Sequence, residues 1–286
     1  MQLAKNICIL FHCIYEDGAL IDGPHQELFV SKSELRELFE KLLAREYCFS
    51  LPWELKHDNN NCVITFDDGY YNNINVLSIC KEYAVPLILF VNSYNIITGK
   101  PFIWDIWEEN CEAAYPFGEA SSRELYSRYD HKKFYSKLEN DFYRPFNLKE
   151  LRDFGNNHNV HLGLHSHHHQ PMTMQSKIEW ESELSNNKQF FIDNNLEYVN
   201  DLSLPCGLYT FGALNWVKKR VNRIYTINGG TFNQGKRVID RISLVSPKIT
   251  GVSLIDQVDR STSPSFIRAL KNKKNHLTRL KYAYIG

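Results

Sequence analysis

Short apolar runs separated by stretches of helical periodicity recur along the chain, and this alternation constrains the fold more than any other feature. The candidate strands are Ile7 to Phe11, Cys62 to Phe66, Leu87 to Val91, Val160 to Leu164, Leu202 to Leu204, Arg223 to Ile227 and Ile242 to Val245. Helix signals lie between them. Ser31 to Leu43 opens on Ser31 and Ser33 as caps and then repeats Leu35, Leu38, Phe39 and Leu42 on one face. Strand and helix in alternation give parallel strands joined by crossover helices, about seven βα units in an α/β fold. A chain of 286 residues with 43% apolar content can bury a core of that size. We expect one catalytic domain over residues 1–255.

Two segments break the rhythm. Residues 100–146 are aromatic and charged together, with Trp104, Trp107, Tyr115, Phe117, Tyr126, Tyr129, Phe134, Tyr135, Phe142 and Tyr143, and read as a helical insertion over the rim. Residues 256–286 form a basic tail (Arg260, Arg268, Lys271, Lys273, Lys274, Arg279, Lys281). Such a run is usually a solvated helix face, and otherwise a means of steering a phosphorylated carrier or of peripheral contact with a membrane surface. Lysine plus arginine equals aspartate plus glutamate at 33 each, so no global field would hold nucleic acid. Ile7 to Ile14 is short for a secretory signal and no window approaches a membrane span. Seven cysteines without paired short spacings favour reduced thiols. The expected compartment is the cytoplasm.

Two strands end in chemistry. Val63-Ile64-Thr65-Phe66 runs into Asp67-Asp68-Gly69, which puts two carboxylates at the carboxyl end of a strand, where α/β active sites form. Adjacent carboxylates repel, and a cation beside them compensates. The structural alternative is an ordinary Asp-Gly turn. Val160 to Leu164 likewise runs into His165-Ser166-His167-His168-His169. Histidines four apart can share a metal when neutral. His165 and His169 have that spacing, and so do His161 and His165; we expect His161, inside the strand, to point away from its carboxyl end.

These motifs carry a resemblance. Thr65-Phe66-Asp67-Asp68-Gly69 followed by His165-Ser166-x-x-His169 resembles the first two motifs of the polysaccharide deacetylases, the NodB-homology or carbohydrate esterase family 4 enzymes. Leu204-Pro205-Cys206-Gly207 is similar to their Pro-x-Gly third motif, and Gly99-Lys100-Pro101-Phe102-x-Trp104-Asp105 is like an intervening segment. The resemblance spans roughly residues 5–250 and implies a distorted (β/α) barrel.

The chain departs from the main branch in three places. Leu202-Ser203-Leu204 lacks the arginine expected before the third motif, the C-terminal third offers only His276, and Gln170 follows the second motif where proline is common. Ile9-Leu10-Phe11-His12 resembles instead the Tyr-His opening of a circularly permuted branch, which includes the poly-N-acetylglucosamine deacetylases of biofilm synthesis.

By this resemblance Asp68, His165 and His169 hold a divalent metal, most often zinc, with cobalt or nickel suited to the same donors. Asp67 is then the general base, His12 the acid for the leaving amine, and the Cys206 backbone N–H the oxyanion donor. Arg241, at the opening of the last expected strand, is the candidate to hold Asp67 ionised. Asn228-Gly229-Gly230 resembles a further loop of the family but equally serves a tight turn, and Trp104 and Trp107 suit sugar stacking or core packing. The implied substrate is an N-acetylated sugar or glycan precursor, nucleotide-linked or lipid-linked. Rival readings are a deformylase or deacylase for another N-acyl group, and a non-catalytic carbohydrate-binding relative.

Overall fold

The computed structural model describes residues 5–110, 122–129 and 138–263. Among them the strands are β1 (Asn6–Phe11), β2 (Cys13–Tyr15), β3 (Phe29–Ser31), β4 (Tyr47–Phe49), β5 (Asn60–Phe66), β6 (Leu87–Val91), β7 (Val160–Leu164), β8 (Asp201–Ser203), β9 (Arg223–Thr226), β10 (Thr231–Phe232), β11 (Val238–Asp240) and β12 (Ile242–Ser243). The helices are α1 (Lys32–Ala44), α2 (Val76–Tyr83), α3 (Ser93–Thr98), α4 (Ile103–Asn110), α5 (Ser122–Tyr129), α6 (Leu148–Gly155), α7 (Lys177–Asp193), α8 (Phe211–Val217), α9 (Pro247–Thr250) and α10 (Leu254–Thr262).

The main sheet runs β10-β1-β5-β6-β7-β8-β9-β11, with β12 also on β1 and β4 on β5. Every pairing in it is parallel except β10 against β1. β11 pairs with β9, yet two residues later β12 pairs with β1, so a single stretch of chain joins both ends of the sheet. This makes the sheet a nearly closed (β/α) barrel. Arg241 is the residue between the two strands.

Both faces of the strands are buried, which is why they read as unbroken apolar runs. Ile7, Ile9, Phe11, Ile64, Phe66, Leu87, Leu89, Val91, Leu162 and Leu164 pack outward against the helices. The alternate residues Cys8, Val63, Ile88, Phe90, Tyr225 and Ile239 fill the interior. α1 follows its sequence signal: Ser31 and Glu34 form a capping box, and Leu35, Leu38, Phe39 and Leu42 are buried.

The described residues hold more strands than the seven expected, and β2 and β3 pair with each other in a separate two-stranded sheet. β2, β3, β4, β10 and β11 are two or three residues long, too short to show a period in sequence. Within the expected insertion α4 and α5 are helical while residues 138–146 form turns and a bridge from Pro145 to Tyr70, and Phe102, Ile103, Trp104, Ile106, Leu125 and Tyr126 form a second cluster with Cys13, Tyr15, Phe29 and Tyr70. Tyr115, Phe117, Phe134 and Tyr135 lie outside the described residues, as do His276 and the basic tail beyond Ser263. The expected division at residue 255 falls within α10, whose Leu254, Ile255 and Val258 belong to the main core. No helix among the described residues is long and apolar enough to cross a membrane.

Candidate active site

β5 ends at Phe66, and Asp67 continues its register by donating its N–H to the Phe11 carbonyl at 3.1 Å. The chain then turns through the left-handed region at Asp68 (φ 76°) and Gly69 (φ 94°). A non-glycine residue in that region is costly, and such residues gather at functional sites. The turn brings both carboxylates, 3% exposed each, to the wall of one cavity.

β7 delivers the histidines. The His165 N–H reaches the Val91 carbonyl and the Asn187 Oδ1 of α7, and its ring Nδ1 lies 2.9 Å from the Ser203 carbonyl. Because Nδ1–H donates there, Nε2 keeps its lone pair, the second contact that typically orients a metal-binding histidine. The chain reverses through Ser166 (φ 63°) and His169 (φ 54°), and the His169 ring packs on Trp104 with centroids 4.4 Å apart. His165 Nε2 stands 3.3 Å and His169 Nε2 3.5 Å from Asp68 Oδ1.

Those three residues offer ligand atoms within 4.8 Å of one another, and Asp68 Oδ1 has no hydrogen-bond partner. Burial pushes His169 down to about 3, helped by His165, so its ring is neutral. At His165 burial acts in the same direction, but Asp67 and Asp68 outweigh it and raise its pKa. The site thus attracts positive charge, and two imidazole nitrogens with one orphaned carboxylate oxygen fit a divalent cation. His161 is elsewhere, half-buried with its ring edge-on to Trp53 at 5.4 Å. His167 and His168 turn away, His168 Nδ1 to Glu183 Oε1 at 2.6 Å and His167 Nδ1 to Ser93 Oγ at 2.8 Å.

Asp67 has a different environment. Arg241 donates from Nη1 to Oδ1 and from Nη2 to Oδ2, both at 2.7 Å, and Ser203 Oγ donates to Oδ2 at 2.9 Å. The guanidinium, fully buried, also donates to Thr226 O, Thr65 Oγ1 and Ser203 Oγ, so its five N–H groups are used. Burial disfavours the Asp67 anion, but the Arg241 charge outweighs it and holds the carboxyl well below the usual range.

The surrounding cavity has a volume of about 540 Å³ and is lined also by His12, Trp104 and Cys206. His12 follows β1 directly, and its Nδ1 is buried without a hydrogen-bond partner. Burial lowers its pKa, against the pull of Asp68 and Asp67. Cys206 lies in a short turn after β8 with φ 55°, and burial pushes its thiol far up, so the sulfur stays neutral. Gly207 admits no side chain, since a Cβ there would stand 2.3 Å from Ile227 Cγ1. Trp107 packs beside the rim cluster, away from the cavity lining. Asn228 donates to Thr226 Oγ1 and Asp240 Oδ1, and Gly229 N–H to the Arg241 carbonyl, so this loop braces the strand junction.

Sequence reasoning missed Ser203, Asn187 and Glu183, whose contacts depend on distant strands and helices. It also missed His25 and Glu27 on the cavity wall, which belong to no motif.

Strand-end acids and histidines gathered at the mouth of a parallel barrel define the class: a (β/α)-barrel hydrolase with a cation-accepting site. The polysaccharide deacetylase profile matches residues 55–220, more than half of the chain, and the protein belongs to that family. It is by class a carbohydrate deacetylase. No curated protein matches the sequence. Among solved structures the fold is similar to a polysaccharide deacetylase from Bacillus anthracis (13% identity, 91% of this chain and 70% of that one, TM-score 0.62). It is also similar to the deacetylase PplD of Streptococcus pyogenes in complex with acetate (16%, 88% and 99%, TM-score 0.60). A third likeness is to IcaB from Ammonifex degensii (12%, 89% and 97%, TM-score 0.59).

Proposed function

We propose that the protein hydrolyses the N-acetyl group of an amino sugar in a saccharide or glycan precursor. The observation that carries this reading is the division of the two adjacent carboxylates, one held by arginine and the other left facing two histidine nitrogens.

Asp68, His165 and His169 would hold the divalent metal, zinc, cobalt or nickel by donor type. Bound there, the metal would supply Lewis acidity toward the acyl oxygen and acidify a water. Asp67 is the general base for the attacking water. Arg241 and Ser203 keep it ionised and fix the plane of its carboxylate, so it is a base aligned in advance. The Cys206 backbone N–H stabilises the tetrahedral oxyanion; removing such a donor typically costs about 100-fold or more in rate. The neutral, unreactive Cys206 thiol takes no part. His12, protonated, delivers its proton to the departing sugar nitrogen, and burial makes it the stronger acid.

The test is acetate release from N-acetylated sugars, nucleotide sugars and glycan extracts, with and without chelator. Release abolished by chelator and restored by one metal is the expected result. Absence of release from all of them, with metal bound, would overturn the reading in favour of another acyl group or a binding role.

A further inference from the structure

Outside the catalytic groups the cavity wall is largely apolar, with Leu10, Leu28, Leu204, Leu208, Ile227 and the ring of Trp104. These suit an acetyl methyl and the C–H face of a sugar. Sugar hydroxyls carried into such a place lose water and need acceptors from the protein. Among the described residues the remaining polar side chains on the wall are His25, Glu27 and Ser243.

His25 and Glu27 lie in the loop between β2 and β3, and the loop is fixed. The Pro24 carbonyl accepts from Tyr143 Oη at 2.9 Å and the Glu27 carbonyl from the Ser246 N–H at 2.8 Å. Gly23 lies so close to the Tyr143 ring that a Cβ would be 2.7 Å from its Oη. His25, itself in the left-handed region at φ 53°, hydrogen-bonds Glu27 Oε1 through Nδ1 at 3.1 Å, while its Nε2 lies 3.0 Å from Glu108 Oε2 as a charge contact without hydrogen-bond geometry. A ring held between two carboxylates, and bonded to one of them, fixes the direction of Glu27. It engages one oxygen of Glu27, and no described side chain is hydrogen-bonded to the other, Oε2. The Glu27 side chain is 43% exposed, unlike the buried catalytic carboxylates. The His25 hydrogen bond outweighs burial and keeps Glu27 below the usual carboxylate range, so it is an acceptor at neutral pH.

We propose that Glu27, aimed by His25, accepts a hydrogen bond from a hydroxyl of the acetamido sugar and so selects which sugar reaches the catalytic groups. The proposal rests on the deacetylase reading above. Glu27 is the binding residue and His25 its positioning residue. Since the contact is made equally in the ground and transition states, its loss falls on KM and not on kcat.

The experiment uses the metal-loaded full chain with methyl N-acetylglucosaminide and its analogues deoxygenated in turn at C3, C4 and C6, followed by acetate release. The wild-type protein should lose about tenfold in kcat/KM on one of the analogues. Glu27→Gln should raise KM for the parent sugar by a similar factor at nearly constant kcat, and should no longer distinguish that analogue from the parent. Glu27→Asp, which keeps a charge beside His25 but shortens its reach, serves as the second variant should the first melt early. Full discrimination in both variants, or a loss confined to kcat, would overturn the proposal alone. No acetate from any of these sugars with the wild-type protein would overturn the sugar reading and this inference with it.

Discussion

Neighbouring identical residues acquire different chemistry here from what surrounds them. Asp67 and Asp68 are adjacent in sequence and equally buried, yet one has a guanidinium on both oxygens and the other an oxygen with no hydrogen-bond partner. Asp67→Asn should therefore bind metal within a few-fold of wild type and lose turnover, whereas Asp68→Asn should lose metal as well; metal content after gel filtration, beside acetate release, checks both. Equal loss of metal in the two variants would refute the division of roles. The same logic separates backbone from side chain at Cys206. Its left-handed φ of 55° is one that glycine adopts freely, and glycine keeps the N–H. Cys206→Gly should change stability by no more than about 1 kcal/mol and leave most of the turnover. A variant without turnover but with normal metal content would mean that the thiol matters. The strand-end positions of the acids and histidines were legible in the sequence because motif and spacing are local. The partners divide: Arg241, 174 positions from Asp67, is singled out in the sequence by its place at the opening of the last expected strand, whereas nothing local points to Ser203, 136 positions away.

The elements that make the site work are mostly those that brace its loops. α7 carries no ligand, but Glu183 accepts the N–H groups of His167 and His168 at 3.0 and 2.7 Å, and Asn187 accepts from His165 and donates to the Val91 carbonyl. One helix thus fixes the loop at His165, His167 and His168, ahead of the ligand position His169. Glu183→Gln and Asn187→Ala should weaken metal affinity by roughly 10-fold to 100-fold with the protein still folded, since residues that orient ligands commonly contribute that much. Calorimetric titration with zinc reads this without reference to activity, and unchanged affinity in both would show that the loop holds itself. A capping box at Ser176 and Glu179 starts α7, but nothing local in the sequence says which face meets the loop. Longer strands, the short β8 and β12, and α1 were likewise legible from apolar runs, period and caps, while β2, β3, β4, β10 and β11 were not. β11 shows why: it is defined by its partner β9, found only once the barrel closes.

For the whole molecule, closing the barrel places one charged residue at its seam and a cluster of titratable groups at its rim. Arg241 lies between β11 and β12, wholly buried, and its removal would leave the Asp67 carboxylate unpaired inside the barrel. Breaking a buried pair of this kind typically costs about 3–5 kcal/mol, so Arg241→Met should melt markedly lower than wild type. The rim acts in the opposite sense on pH. Asp105, fully buried beside Tyr70, is pushed by desolvation up to about 7 from an ordinary 3.8, with the His25 charge only partly offsetting this. The folded protein therefore holds a proton on Asp105 that the unfolded chain releases, and stability falls as pH rises from about 3.8 to about 7. His25 continues the trend. Burial lowers its pKa, but Glu27, Asp105 and Glu108 outweigh this and raise it to about 9 from an ordinary 6.5. Its contribution is complete below 6.5 and is lost as pH rises through about 9. Both groups thus favour the acid side, whereas His169 and His12, kept neutral by burial, act in the opposite sense below 6.5, so the metal-free protein should melt higher near pH 6.5 than near pH 8.5. Two variants divide the decline. Asp105→Asn should flatten the interval below pH 7, and His25→Asn, which tolerates the left-handed φ, should flatten the interval above 6.5. Melting temperatures across that range for the wild type and both variants are the measurement. Parallel curves for all three would show that the rim cluster does not govern the pH response of the fold.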